Sequence, residues 1–264
     1  MTVIDLNSDL GESFGPWKKG LDEEILKIVS SANVACGFHA GDPLQMKKTC
    51  LSCIQNDVGI GAHPGFRDLV GFGRREIQGY NIEELKSEAI YQIGALQAIA
   101  KTLNTEVRHV KFHGALGNMS SRDIELSKSL YDAVMELSTE LKILVIAGTK
   151  QQLAAEELGI PHVREIFADR SYNNDGTLVS RSKKGAMILD TLQCADNMLN
   201  AVQNNRLTSI DGNEISIKPE SICVHGDSPV AVKIAAQIKR TLEDAGIGIR
   251  KFESSFSEGS TDSK

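Results

Sequence analysis

Gly59-Ile60-Gly61-Ala62-His63-Pro64-Gly65 is a short apolar run that stops at a histidine. Asn81-Ile82-Glu83-Glu84 then starts a helical pattern, and a second short run, His109-Val110-Lys111-Phe112, stops at another histidine, His113. Asn81 has the character of an N-cap, with a carboxylate three residues on. Leu85, Ala89, Ile93, Leu96, Ala100 and Leu103 follow at spacings of three or four, as one buried helix face requires. Neither apolar run alternates strictly, which suits strands covered on both faces in a parallel sheet. The stretch therefore reads as strand, helix, strand, with polar chemistry placed where each strand ends.

The same alternation extends in both directions. Further strands are expected at Val3–Asn7, Ala32–Cys36, Ile143–Ala147, Val163–Phe167 and Ser221–Val224. Helix starts are marked by Asp22-Glu23-Glu24, by Thr149 and by Ser228-Pro229, where proline suits the first helical position; Gly246 lies near the end of that last helix. A β-α unit repeated about seven times specifies a parallel α/β fold, closed into a barrel or left open as a doubly wound sheet. Ile210-Asp211-Gly212-Asn213, between Leu207 and the pair Ile215 and Ile217, reads as a β-hairpin excursion. One domain is expected over residues 1–252, with a frayed tail over 253–264 that is rich in Ser, Glu and Gly.

With 264 residues, 41% hydrophobic and 24% charged, the chain has ordinary globular composition. A net charge of −6 without a long basic run argues against nucleic acid or an anionic membrane as partner. No apolar stretch has bilayer-spanning length. The N-terminus enters a strand-like run without the layout of a signal peptide. Five cysteines with no ladder-like spacing point to a reducing compartment, the cytoplasm. Cys50-Leu51-Ser52-Cys53 falls on a helix and has no second pair to complete a zinc site, so it reads as core packing; Cys36, at a strand end, is read the same way.

Four of the six histidines end an apolar run and are followed by a small residue or proline: His39, His63, His113 and His225. Loops after the C-terminal ends of parallel strands form the active-site face of such folds, so these four are expected on one rim. The first strand supplies Asp5, Asn7, Asp9 and Glu12, the second Asn33, the fourth Lys111, and the sixth Asp169 and Arg170. So many ionisable groups at buried strand ends must pair or work. Gly71-Phe72-Gly73-Arg74-Arg75 suits a mobile loop that clamps a carboxylate or phosphate. There is no Gly-x-x-x-x-Gly-Lys-Ser/Thr loop, no Gly-x-Gly-x-x-Gly after the first strand and no Gly-x-Ser-x-Gly elbow. His and Asp groups remain, suited to acid–base work or to a metal.

Several stretches together resemble the LamB/YcsF family: Asp5–Glu12, Ser31–Pro43 with Asp42 before the proline, Ile60–Gly65, Gly71–Arg75, Val110–Leu116, Phe167–Arg170 and Cys223-Val224-His225-Gly226-Asp227. Three positions differ from the family pattern: Ser8 where Cys is often found, Phe112 where Pro is usual, and Gly117 where Tyr is usual. The last two flank His113. The resemblance implies a distorted seven-stranded β/α barrel of the glycoside hydrolase and deacetylase type. It further implies ATP-dependent opening of the lactam of 5-oxo-L-proline to L-glutamate, carried out with separate B and C subunits.

On that basis Asp9, His39 or His63 is expected to serve as general base and His113 or His225 as general acid. Asp169 belongs with this catalytic group. Lys111 and Arg170 would stabilise oxyanion or phosphate charge, and Arg74 or Arg75 would clamp the substrate carboxylate. Asn7, Glu12, Asn33, Asp42 and Asp227 complete the expected binding set. A divalent metal and a homo-oligomer are both compatible with these residues. Two other readings use them too: a metal-dependent deacetylase or amidohydrolase acting on a sugar or other amide, and a non-catalytic subunit that binds a small carboxylate.

Overall fold

The structure, a computed structural model, describes residues 2–252; the expected tail at 253–264 lies outside them. Ten strands and eight helices follow in the order β1 (Val3–Leu10), α1 (Asp22–Ile25), β2 (Ser31–Ala35), α2 (Pro43–Gln55), β3 (Gly59–His63), α3 (Ile82–Thr102), β4 (Val107–Val110), α4 (Gly114–Ser120), α5 (Ile124–Leu137), β5 (Lys142–Ile146), α6 (Lys150–Leu158), β6 (His162–Phe167), α7 (Thr191–Asn204), β7 (Arg206–Thr208), β8 (Glu214–Ser216), β9 (Ser221–Cys223), α8 (Pro229–Asp244) and β10 (Gly248–Ile249). Strands β1 to β6 pair in sequence order, all parallel, and β9 pairs with both β6 and β1. The result is a closed seven-stranded barrel, which settles barrel against open sheet. β7 and β8 form the expected antiparallel hairpin, and the short β10 runs parallel to the first residues of β1. No helix among the described residues is long and apolar enough to cross a membrane.

The capping signals act as written. Asn81 accepts hydrogen bonds from the Glu83 and Glu84 amides, Thr149 from Gln151, and Ser228 from Ala231 with Pro229 at the first helical position. The buried face of α3 is Leu85, Ala89, Gln92, Ile93, Leu96 and Ala100, nearly the expected stripe. Asp22-Glu23-Glu24 gives only a single turn, α1. The Asp22 carboxylate is drawn instead to the Gly11 amide at 2.9 Å. Cys50 and Cys53 are free and fully buried on the inner face of α2, and burial pushes the Cys50 thiol up to about 11, as a packing role requires.

The barrel is apolar outside and polar inside. Ile4, Leu6 and Leu10 of β1 join the hydrophobic layer with helix residues such as Ile25, Ile93 and Leu130. Asp5, Asn7 and Asp9, which alternate with them, reach across the lumen. Asp5 accepts from Ser30 at 2.7 Å, from Ser31 at 2.6 Å and from Ser221. Asn7 donates to Glu165 at 2.8 Å and to Ser221 at 2.7 Å, and accepts from Asn33 at 2.8 Å and Lys111 at 3.2 Å. His109 donates to Asn33 at 2.8 Å, and its ring fills the place of a side chain at Gly61, where a Cβ would come within 2.0 Å of His109 Nε2. A lumen built this way is held by hydrogen bonds between strands rather than by layers of branched apolar side chains.

Candidate active site

A cavity of about 520 Å³ opens at the C-terminal ends of the strands. Its lining includes Asp9, Glu12, His63, Lys111, Arg170 and His225. At its floor the Lys111 ammonium meets Glu165 at 2.7 Å, Asp9 Oδ1 at 3.2 Å and Cys223 Sγ at 3.1 Å. Burial alone would lower the pKa of this lysine, but Asp9, Cys223 and Glu165 outweigh burial and hold it well above the usual range. Burial likewise opposes ionisation of Asp9, yet His63 and then Lys111 keep its carboxyl well below the ordinary value. Glu12 behaves differently. Burial first, and then the Asp9 charge, push it up to about 7.

His63 and His113 meet edge to face, with His63 Nε2 and His113 Nδ1 2.9 Å apart. The far nitrogen of each ring lies on a backbone carbonyl: His63 Nδ1 donates to Lys111 O at 2.7 Å and His113 Nε2 to Phe72 O at 2.8 Å. A carbonyl only accepts, so both far nitrogens carry their protons. With those protons in place, His63 Nε2 and His113 Nδ1 both present lone pairs to the space between the rings. Asp9 Oδ2 stands 3.3 Å from His63 Nε2.

His39 lies flat on His113, with ring centroids 3.7 Å apart and planes 5° apart. Both its ring nitrogens are buried without a hydrogen-bond partner, and Nε2 is 3.9 Å from Glu12 Oε1. Burial, then the charges of His113 and His63, hold its pKa well below the usual histidine value. The 71–73 loop makes the stack fit. At Gly73, with φ +61°, a Cβ would come within 2.7 Å of the His113 ring and of His39 Cβ, while Phe72 packs edge-on against His39 and His113.

On the opposite wall, His225 Nδ1 meets Asp169 Oδ2 at 2.7 Å. Burial would lower the basicity of His225, but Asp169 outweighs it and the net shift is upward. Arg170 is buried. Its Nη2 donates to Val179 O at 2.7 Å and its Nε has no partner. Burial first and Arg181 next pull Arg170 down to about 10; burial and Arg181 also lower Arg74. Arg74, Arg170 and Arg181 thus line one cavity, and none of them makes a carboxylate salt bridge among the described residues.

Of the residues singled out by sequence, the structure brings Asp9, Glu12, His63, Arg74, Lys111, His113, Arg170, His225 and Asp227 to the cavity. His39 and Asp169 stand directly behind this wall. Asn7 and Asn33 lie deeper, bonded to each other within the lumen. Asp42 and Arg75 are not brought there. Asp42 caps α2, accepting from Leu44 and Gln45, and also accepts from the Gly15 amide. Arg75 is taken up by Asp68, so only Arg74 of the expected clamp faces the cavity. Sequence reading missed Glu165, Lys19 and Arg181. Glu165 carries a signal, a charge amid the apolar run of β6; Arg181, in an irregular segment, carries none. Phe112 and Gly117 both line the cavity, and a Cβ at Gly117 would meet the Phe112 carbonyl oxygen at 2.5 Å, so this backbone leaves no room for a side chain at 117.

Among the described residues two groups of metal-ligating type occur, Glu12 with His39, His63 and His113, and Asp9 with Cys223 and His225, each with donor atoms within 4.8 Å of one another. A protein of Ruegeria pomeroyi, named as the A subunit of 5-oxoprolinase, is 47% identical over 96% of this chain and all of its own length. The crystal structure of a lactam utilization protein from Thermus thermophilus superposes with a TM-score of 0.89 at 39% identity, covering 95% of this chain and all of that one. The catalytic domain of a peptidoglycan N-acetylglucosamine deacetylase from Eubacterium rectale, at 11% identity, shares only the fold, with a TM-score of 0.50 over 96% of this chain and 89% of its own. The LamB/YcsF family matches residues 4–257, nearly the whole chain. The chain belongs to the LamB/YcsF family.

Proposed function

We propose that this chain is the A subunit of a cytoplasmic 5-oxoprolinase, opening the lactam of 5-oxo-L-proline to L-glutamate with B and C subunits and ATP. The observation that carries the reading is one cavity holding a carboxyl poised near neutrality, a histidine made more basic by its own aspartate, and guanidinium groups without a carboxylate salt bridge among the described residues. Relatives named for the same activity, similar over nearly their full length, support it.

In the reaction, water adds its oxygen to the ring carbonyl carbon, the C–N bond breaks with its electron pair going to nitrogen, and nitrogen takes a proton. Glu12, at about 7, accepts the proton from water. His225, made more basic by Asp169, gives one to the departing nitrogen. Lys111 and Arg170 face the charge that develops on the carbonyl oxygen; loss of one such donor typically raises a barrier by about 2.7–4 kcal/mol. Arg74 and Arg181 hold the substrate carboxylate. ATP, when coupled, supplies the driving force that opening a stable ring lacks, and Arg74, Arg170 and Arg181 are the residues that would hold phosphoryl charge.

The test is glutamate formation from 5-oxo-L-proline by the purified chain, with and without ATP and the B and C subunits. Glutamate that depends on both is the expected outcome. Hydrolysis of an N-acetylated sugar without ATP, and no glutamate under any condition, would overturn the reading.

A further inference from the structure

We infer that His63 Nε2, His113 Nδ1 and Asp9 Oδ2 form a binding site for one divalent transition-metal ion. The site shares the cavity described above but does not depend on the substrate proposed for it.

The donors are already oriented. Both histidines have their far nitrogens fixed as N–H by the carbonyls of Lys111 and Phe72, at 2.7 and 2.8 Å. Metal-bound histidine almost always shows this outer contact, because it selects the tautomer whose free lone pair faces the ion. Asp9 is oriented in the same way. Its Oδ1 accepts from Asn33 at 2.9 Å and from Lys111 at 3.2 Å, which leaves Oδ2 turned toward His63. All three ligand atoms are thus oriented by the contacts behind them.

The spacing agrees. Bonds of about 2.0–2.2 Å from an ion to N and O ligands set neighbouring donors roughly 3 Å apart. His63 Nε2 lies 2.9 Å from His113 Nδ1 and 3.3 Å from Asp9 Oδ2. Imidazole and carboxylate together suit zinc, cobalt, nickel or iron better than magnesium or calcium. His39 is not a ligand in this arrangement. Its ring is stacked parallel on His113, so its lone pairs run beside that of His113 rather than to the same point. Glu12 stays free as an acceptor beside the site. The competing occupant of the gap is a single shared proton, and the two make opposite forecasts.

The experiment uses the full-length chain, dialysed against a chelator and then titrated with Co2+ alone. Metal content is measured by mass spectrometry after desalting, and the visible absorption of bound cobalt is recorded. One equivalent per chain with ligand-field bands is expected, and His113→Gln and Asp9→Asn should each weaken cobalt binding at least ~100-fold. Circular dichroism confirms that each variant is folded; if His113→Gln unfolds, Asp9→Asn carries the comparison. A folded wild-type chain that retains less than about a tenth of an equivalent, with one proton seen by 15N NMR to be shared between His63 and His113, would overturn the site. Binding left unchanged in both folded variants would overturn it as well. No lactam or partner protein enters the measurement, so its failure is separable from failure of the proposed activity.

Discussion

Replacing Lys111 with methionine, which keeps most of the side-chain volume and removes the charge, isolates the electrostatics of the barrel lumen. The ammonium faces Glu165 at 2.7 Å and Asp9 at 3.2 Å. At an effective dielectric constant of ~20 these contacts amount to about 6 and about 5 kcal/mol of gross attraction. Much of that offsets the cost of taking the ammonium out of water. What the variant exposes is the penalty of leaving carboxylates buried without a cation, typically about 3–5 kcal/mol. Unfolding entropy of about 2.1 cal/mol/K per residue gives ~0.55 kcal/mol/K for 264 residues, so the expected fall in melting temperature is about 5–9 °C. The loss also has a pH signature. Without Lys111 the folded-state pKa values of Asp9 and Glu165 rise, the folded variant binds protons more tightly than the unfolded chain, and its stability increases as pH falls. Urea unfolding followed by circular dichroism at about pH 8 and about pH 5, in chelator-treated buffer, measures both effects. A loss below about 1 kcal/mol at the higher pH, or an equal loss at both values, would show that Lys111 does not neutralise these acids.

The same geometry sets three further outcomes. Asp5 is raised from 3.8 to about 6 by burial, against the pull of its serine hydroxyls, so its contribution to stability is full at low pH and is lost as pH rises through about 6. Asp5→Asn should flatten the wild-type decline, about 3 kcal/mol between roughly pH 4 and pH 7, in urea titrations; an unchanged slope refutes the assignment. Gly61→Ala should cost about 1–3 kcal/mol by overpacking against His109, and His109→Ala in the same chain should recover part of it in thermal unfolding. Asp169→Asn removes the charge that raises His225, so the alkaline limb of the activity profile should move to lower pH; a limb that stays in place would take His225 out of the acid role.

The β-α alternation and the helix caps were legible because they are local: Asn81, Thr149 and Ser228 each satisfy amides within three residues. Closure was legible only through the family resemblance and not in the local pattern, since it rests on β9 meeting β1, and no short window contains that pairing. The His-small-residue repeat was readable as a rim because each instance stands at or just after the end of a parallel strand. Burial depth was harder to read. Asn7 and Asp9 belong to one strand face, yet Asn7 serves the lumen network and Asp9 the cavity. Glu165 was passed over because its apolar neighbours Val163, Ile166 and Phe167 hide a single inward charge. Arg75 and Arg74 are adjacent in sequence, and only the position of Asp68 decides which one is removed from the site.

The polar lumen also bears on how the chain reaches its final state. Contacts that satisfy Asp5 and Asn7 come from Ser221, 216 and 214 residues away. An N-terminal half on its own would lack the Ser221 hydroxyl that both groups share. Such a topology has high contact order, and loop closure must come before its reward. The barrel should therefore assemble in one late, cooperative step, with the β1–β9 seam as its latch. Cutting the chain between those strands should yield fragments that are disordered alone and gain structure only on being mixed.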